Sequence, residues 1–310
     1  MVTMMKSYDS YGTAKNFYFS IIFDYMTAAQ DWLDSNYPKE GRGEIKNLLI
    51  CDVSDLNDKE FCNLIVVDFN NKHFLNPNCS ESLSGVLVLS DFVKLEELYI
   101  KNQFINKLIL EKCSNLKNLQ VSNNILREII WPDNKEMLET IDVSNNNIYA
   151  QDLSCFSSFT NLVYLHLGTG FFYDIDDDEE KREKKDNELA IKKEEKIKER
   201  INNNIYNRWN GSLIHLEKLK NLEELDINAT DIDRGIEKLP MDRMSRFMCG
   251  DFGRINARVQ KIREICDFEE TLALSTNFDD NIEKMRKISE AVIRIREREN
   301  EAQEQEYIQI

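Results

Sequence analysis

The sequence has few of the residues and motifs on which enzyme chemistry depends. It contains 3 histidines in 310 residues, and their spacing predicts no Ser-His-Asp or Cys-His arrangement. It has no phosphate-binding glycine loop, no dinucleotide fingerprint and no Cys/His cluster with zinc spacing. These absences predict a protein that is not an enzyme and that holds no cofactor and no metal.

Long apolar runs and clustered cysteines are also missing. The apolar run at residues 17–23 is short and is followed by Asp24, so neither a membrane span nor a signal peptide is expected. The 7 cysteines form no C-x-x-C pair, and Cys113 and Cys249 stand where a small apolar residue is wanted. Their odd number and scattered positions predict reduced, buried thiols and a cytoplasmic location.

Basic residues are outnumbered, with Lys+Arg 40 against Asp+Glu 56 and a net charge of −16. Phosphate backbones are bound by a basic stripe, so nucleic acid is not expected as the main partner. The same balance argues against binding to an anionic membrane surface.

One eleven-residue pattern recurs three times within residues 95–148. Positions 1, 4, 6 and 11 are apolar in each copy: Leu95, Leu98, Ile100 and Ile105; Leu116, Leu119, Val121 and Leu126; Leu138, Ile141, Val143 and Ile148. Further copies start at Leu162 and Leu222, and less regular ones cover residues 45–50, 64–74 and 244–249. Position 9 holds, in order, Gln103, Asn124, Asn146, Gly170 and Thr230.

This spacing resembles the leucine-rich repeat, L-x-x-L-x-L-x-x-N-x-L. The resemblance implies an α/β repeat fold: a solenoid with a curved parallel β-sheet, short extended or 3₁₀ segments on its convex side, and helical caps. Positions 4 and 6 differ by the strand period, so both side chains should face the core. The asparagine at position 9 should pair with backbone groups of the turning chain, and its replacement in several copies predicts an incomplete asparagine ladder.

The pattern predicts three regions. Residues 1–43 form an N-terminal segment with a capping helix, in which Trp32, Leu33 and Tyr37 share one face before Pro38. Residues 44–250 form the solenoid, and residues 251–310 form a helical cap followed by a helix. The Trp-Leu-x-x-Asn-Tyr-Pro segment is also similar to the lead-in of a lineage-expanded fungal group of intracellular leucine-rich repeat proteins.

A charged insertion, residues 173–208, interrupts the solenoid and is predicted to be partly helical. Residues 174–200 hold 12 acidic and 9 basic side chains, while Ile197, Ile201 and Ile205 form a thin apolar stripe. The segment is either a solvated loop or an arm that docks a partner.

Two helices are predicted after Gly250 from their apolar spacing. The first is marked by Ile255, Val259, Ile262 and Cys266, and the second by Met285, Ile288, Val292 and Ile295. The second helix either packs back on the cap or pairs with another chain.

The outward positions 3, 5 and 7 of the strands should line the concave face of the solenoid. The predicted partner-binding residues are Tyr99, Gln120, Asp142, Tyr164, His166 and Asp226. The first five are predicted to form one row at position 5, with exposed tyrosines as anchors. The sequence thus predicts a monomeric, non-enzymatic module that binds a protein. The alternatives are a structural or assembly protein acting through the insertion and the last helix, or a regulatory fragment of a larger repeat receptor or kinase.

Overall fold

The computed structural model describes residues 27–50, 82–170, 185–266 and 278–308. The strands in these ranges are β1 (Thr27–Ala28), β2 (Asn47–Ile50), β3 (Leu83–Val88), β4 (Glu97–Ile100), β5 (Phe104–Ile109), β6 (Asn118–Gln120), β7 (Glu128–Ile130), β8 (Thr140–Asp142), β9 (Tyr164–His166), β10 (Asn210–Ser212), β11 (Glu224–Asp226), β12 (Asp231–Arg234) and β13 (Arg246–Met248). The α-helices are α1 (Ala29–Asn36), α2 (Lys185–Asn202), α3 (Gln260–Ile265) and α4 (Phe278–Ile308).

The main sheet has seven strands in the order β13-β11-β9-β8-β6-β4-β2, and every pair is parallel. The residues at position 4 of the repeat lie opposite one another across the whole sheet: Leu48, Leu98, Leu119, Ile141, Leu165, Leu225 and Phe247. All seven are buried, and each such side chain contributes roughly 1.5–3 kcal/mol through burial. The predicted register is therefore confirmed, and the chain has an α/β repeat fold.

The connections between these strands carry short extended and 3₁₀ segments, as predicted. A second parallel sheet has the order β1-β3-β5-β7, and β10 pairs with β12. Leu87, Leu108 and Ile129 lie opposite one another in the second sheet. The 3₁₀ helices are Arg42–Glu44, Lys135–Met137, Ser154–Ser158, Leu213–Leu216 and Ile236–Lys238.

The start of the sheet differs from the expected succession of repeats. The copy predicted at residues 64–74 lies outside the described residues. β2 pairs directly with β4, with Leu48 opposite Leu98. A strand from the copy at residues 64–74 was expected between these two strands. The strands of the copies at residues 45–50 and 95–100 are therefore immediate neighbours.

The helix expected before Pro38 is α1. Trp32 and Leu33 are buried on its inner face, and Tyr37 follows its last residue with its ring edge-on to Phe92 at a centroid distance of 6.3 Å. Arg42 is also buried and donates to the Tyr37 carbonyl oxygen at 2.7 Å. These contacts cover apolar surface at the N-terminal end of the second sheet, where β1 pairs with β3.

The first C-terminal helix is shorter than its apolar spacing predicted. Phe252 and Gly253 have φ values of 49° and 77°, which no right-handed helix accommodates. Turns follow, and Ile255 is 87% exposed, so its assignment to the helix was wrong. α3 starts only at Gln260.

The second C-terminal helix, α4, packs on the C-terminal end of the repeats. Ile288, Ala291 and Val292 are buried in the same core as the strands, and α4 contacts β13 and the 3₁₀ helix Ile236–Lys238. The apolar stripe of α4 thus packs on its own chain, against β13 and this 3₁₀ helix more than against the cap helix expected before it.

Candidate functional site

The outer face, meaning positions 3, 5 and 7 of the main-sheet strands, points away from the core because side chains alternate along a strand. The strand register forms one row at position 5: Tyr99, Gln120, Asp142, His166 and Asp226. Tyr164 does not belong to this row, which corrects the prediction. It stands at position 3, between Thr140 and Glu224.

The two tyrosines of the outer face differ in exposure. Tyr99 is only 6% exposed, and its hydroxyl accepts from Asn118 Nδ2 at 2.8 Å and donates to Glu97 Oε2 at 3.3 Å. The expectation of an exposed anchor was wrong for Tyr99. Tyr164 is 37% exposed, and burial together with Glu223 and Glu224 raises the pKa of its hydroxyl. Of the two tyrosines, Tyr164 is thus the one whose ring is accessible to a partner.

A charged cluster lies beside Tyr164. His166 Nε2 is 3.5 Å from Glu224 Oε2, and the same oxygen is 3.5 Å from Arg246 Nη1. Burial opposes the charged imidazole, but Glu224, Asp142 and Asp226 outweigh it and raise the pKa of His166. Burial raises the pKa of Glu224, but His166 and Arg246 overcome it, so the net shift is downward. The cluster favours a charged imidazole held between carboxylates.

Asp142 and Asp226 each accept hydrogen bonds from the residue two positions later. Asp142 Oδ1 accepts from the backbone N–H of Ser144 at 3.0 Å and from its hydroxyl at 2.6 Å. Asp226 Oδ1 accepts from the Asn228 N–H at 2.8 Å. Asp226 is fully buried, and burial raises its pKa to about 6, although His166 and the Asn228 N–H oppose that shift. Both carboxylates are therefore buried beneath the exposed side chains of the outer face.

Gly168 makes room for the Asp226 carboxylate. A Cβ added at Gly168 would lie 2.5 Å from Asp226 Oδ2 and 2.6 Å from the Asn228 backbone nitrogen. Real Cβ atoms do not approach so closely, and backbone cannot move aside as a long side chain can. A glycine is therefore required at position 7 of this copy for the Asp226 carboxylate to occupy its buried place.

The side chains at position 9 form an amide ladder at the ends of the main-sheet strands. Asn124 Nδ2 donates to the carbonyl oxygen of Ile100 at 2.8 Å, and Asn146 Nδ2 donates to those of Val121 and Val143 at 2.9 and 3.0 Å. Each Oδ1 accepts a backbone N–H of the preceding repeat. This is the pairing that the sequence predicted for asparagine.

The fourth copy of the pattern continues the ladder with a residue that the sequence analysis missed. Asn207 is fully buried, donates to the Val143 and Leu167 carbonyl oxygens at 2.8 and 2.9 Å, and accepts from the Ile148 N–H at 3.1 Å. It takes the role assigned to Gly170, so the insertion splits the pattern between positions 8 and 9. The insertion therefore ends before Asn207 and not at residue 208 as predicted. The signal was the Asn207-x-Trp209 spacing at that point, which repeats the N-x-L of the pattern.

The helix of the insertion, α2, rests on the ends of these strands. Ile197 and Ile201 are buried against Ala229 and Phe252. Arg200 donates to the carbonyl oxygens of Asn124 and Asn145 at 2.7 and 2.6 Å, and burial lowers its pKa to about 10. The apolar stripe predicted from Ile197 and Ile201 therefore contacts the repeats.

Of the described cysteines, Cys113, Cys249 and Cys266 are buried and Cys155 is half-buried, and none of the four is in a disulfide. Burial raises the pKa of Cys113, Cys155 and Cys249 to about 12, so these thiols stay protonated near neutral pH. In the four described ranges, no group of three or more His, Cys, Asp or Glu side chains is arranged to hold a metal ion. The described helices also include none with the length and apolarity to cross a membrane.

Comparisons of the sequence with protein-family models and with curated proteins find no match. Among solved structures, the chain is similar to an internalin from Listeria monocytogenes, with 17% sequence identity and a TM-score of 0.31. The match covers 61% of this chain and 55% of the internalin chain, so this chain spans little more than half of that protein's length. At this TM-score the likeness carries no weight, and the fold rests on the strand register.

Proposed function

We propose that the chain is a leucine-rich repeat solenoid that binds a protein partner on the outer face, which is the concave face of that solenoid. The repeated register supports this proposal. Seven parallel strands hold the outward side chains in fixed rows. Because this array is rigid, its backbone loses little conformational entropy when a partner binds.

The observation that carries the proposal is the exposure of Tyr164 beside the His166–Glu224–Arg246 cluster. Tyr164 lies on β9, in the interior of the main sheet, with β8 and β11 on either side. Aromatic residues surrounded by polar groups are frequent anchors of protein interfaces. Tyr164 is the proposed anchor, and Gln120 contributes hydrogen bonding from its half-buried place on β6.

The remaining predicted residues act by supporting this surface. His166 supplies positive charge, and the buried carboxylates of Asp142 and Asp226 hold it in place through their charge. Tyr99 fixes Glu97 and Asn118 through its hydroxyl. In this proposal the protein is a non-enzymatic, cytoplasmic, monomeric scaffold, and the similarity of the Trp32–Pro38 segment to the fungal group stays a prediction.

The test is a crosslinked pull-down from native extract with wild-type protein and a Tyr164→Ala/Gln120→Ala variant. Tyr149→Ala is the matched control, because Tyr149 is 57% exposed and lies after β8, outside the strands of the main sheet. A partner lost only in the double variant is the expected result. A partner retained by the double variant would overturn the concave-face proposal and favour assembly through the insertion or α4.

A further inference from the structure

A groove of about 450 Å³ lies between α4 and the chain around Gly235, away from the outer face. Small-molecule sites have volumes of roughly 300–1,000 Å³, so the groove can hold a compact ligand. Part of its lining is apolar and comes from Ile265, Ala291 and Ile295. Ile265 is 38% exposed, which leaves apolar surface available to a ligand.

Three arginines line the same groove: Arg234, Arg294 and Arg298. Arg294 and Arg298 are four residues apart on α4, so they share one face of the helix. Both are exposed. Across the described ranges, no carboxylate lies within 4.0 Å of either guanidinium to form an ion pair. Among the described residues, these two guanidinium groups therefore have no carboxylate in an ion pair.

The two acidic residues of the groove share one lysine. Glu237 and Glu299 both face Lys238, whose Nζ is 3.9 Å from Glu237 Oε1 and 2.8 Å from Glu299 Oε2. Lys238 balances the charge of one of these two carboxylates, and the three arginines that line the groove outnumber the two glutamates.

The third arginine shares its carboxylate with other cations. Asp233 is 6% exposed and lies 2.8 Å from Arg234, 2.8 Å from Arg258 and 3.6 Å from Lys261. One carboxylate cannot balance three cations, so this side of the groove retains positive charge. The excess is local, because the whole chain carries a net charge of −16.

From this arrangement we propose that the groove binds a small phosphate monoester with an apolar or aromatic body. The guanidinium fork matches the oxygens of a phosphate in two parallel hydrogen bonds. A phosphate monoester carries nearly two negative charges near neutral pH, which suits several arginines better than a single carboxylate does. The body of the ligand would cover Ile265, Ala291 and Ile295.

The experiment is calorimetric titration of the full chain with phenyl phosphate, with benzoate as the carboxylate analogue. The test variant is Arg294→Gln/Arg298→Gln. The matched control is Arg286→Gln on the same helix, whose guanidinium is engaged by Glu283 and Glu290. Thermal unfolding of each variant checks that the fold is retained.

Wild type and Arg286→Gln should bind phenyl phosphate alike, and the double variant should bind it at least roughly tenfold more weakly. Binding should weaken as salt concentration rises. Absence of saturable binding to wild type at millimolar phenyl phosphate would overturn the proposal. Equal binding in the double variant would overturn the role of the arginines, and benzoate binding as tightly would overturn the phosphate class.

Discussion

The Nδ2 of Asn207 donates to the carbonyl oxygen of Leu167 at 2.9 Å, although the two residues are 40 positions apart in the sequence. Asn146 makes the equivalent bond to Val143 within its own repeat, over 3 positions. The insertion therefore leaves the ladder uninterrupted, because the chain returns at the residue that completes the pattern. The Asn207 side chain therefore links the C-terminal end of the insertion to the residues that follow β8 and β9.

Replacement of Asn207 by alanine should lower the free energy of unfolding by about 2–4 kcal/mol. The change leaves the Leu167 carbonyl oxygen and the Ile148 N–H without their Asn207 partner, while the Val143 carbonyl oxygen keeps its bond from Asn146. Each unsatisfied buried group costs roughly 1–3 kcal/mol. Urea denaturation followed by circular dichroism measures the loss.

The matched control for Asn207 is Asn203→Ala, because Asn203 is exposed near the end of the same insertion. It should change the free energy of unfolding by less than roughly 0.5 kcal/mol. Similar losses in the two variants would contradict the role of Asn207 in the ladder.

The apolar period was the most predictable part of the fold. Burial of position 4 residues is a large effect that repeats in every copy, so Leu48, Leu119 and Phe247 could be aligned before any coordinates were known. The amide ladder was harder to predict, because the insertion separates Asn207 from the first eight positions of its copy. A resumption of the N-x-apolar spacing after a charged segment is the signal that would have found it.

Leu119→Ala should reduce the free energy of unfolding by roughly 2–5 kcal/mol, while Gln120→Ala should have little effect. Leu119 is fully buried at position 4, and its neighbour Gln120 points to the outer face. Denaturant unfolding of both variants makes the comparison. Equal losses would mean that the faces of β6 are reversed.

The candidate site was less predictable than the core. Tyr164 stands two residues after Leu162, at position 3, so its assignment to the row at position 5 misread the spacing. The exposure of Tyr99 could not be predicted, because it depends on hydrogen bonds to Glu97 and Asn118. The same limit applied to Ile255, where left-handed backbone at Phe252 and Gly253 stops a helical spacing from becoming a helix.

Gly168→Ala should destabilise the protein by about 1–3 kcal/mol, since the new methyl group would overlap the Asp226 carboxylate and the Asn228 backbone. Gly43→Ala is the matched control: its Cβ would meet only an ordinary contact, at 3.6 Å from Val93 Cγ2. Thermal unfolding compares the two variants. A harmless Gly168→Ala would show that Asp226 does not occupy the space above Gly168.

The contributions of Asp226 and His166 to the free energy of unfolding should fall as pH rises from about 4 to about 6 and again above about 6.5. Asp226 has its pKa raised from 3.8 to about 6 in the folded protein, and the pKa of His166 is raised above 6.5. In both cases the folded state binds more protons than the unfolded state, and stability then decreases with increasing pH. The Asp226 contribution is lost between about pH 4 and 6, and the His166 contribution is lost above about 6.5.

Asp226→Asn should flatten this pH dependence, because the amide keeps an acceptor for the Asn228 N–H and carries no charge to bury. The part removed should be on the order of 1–3 kcal/mol across the window. Asp133→Asn, at an exposed position, should keep the wild-type slope. Chemical denaturation at several pH values measures each slope. A slope that is unchanged in Asp226→Asn would contradict a buried carboxyl with a raised pKa at this position.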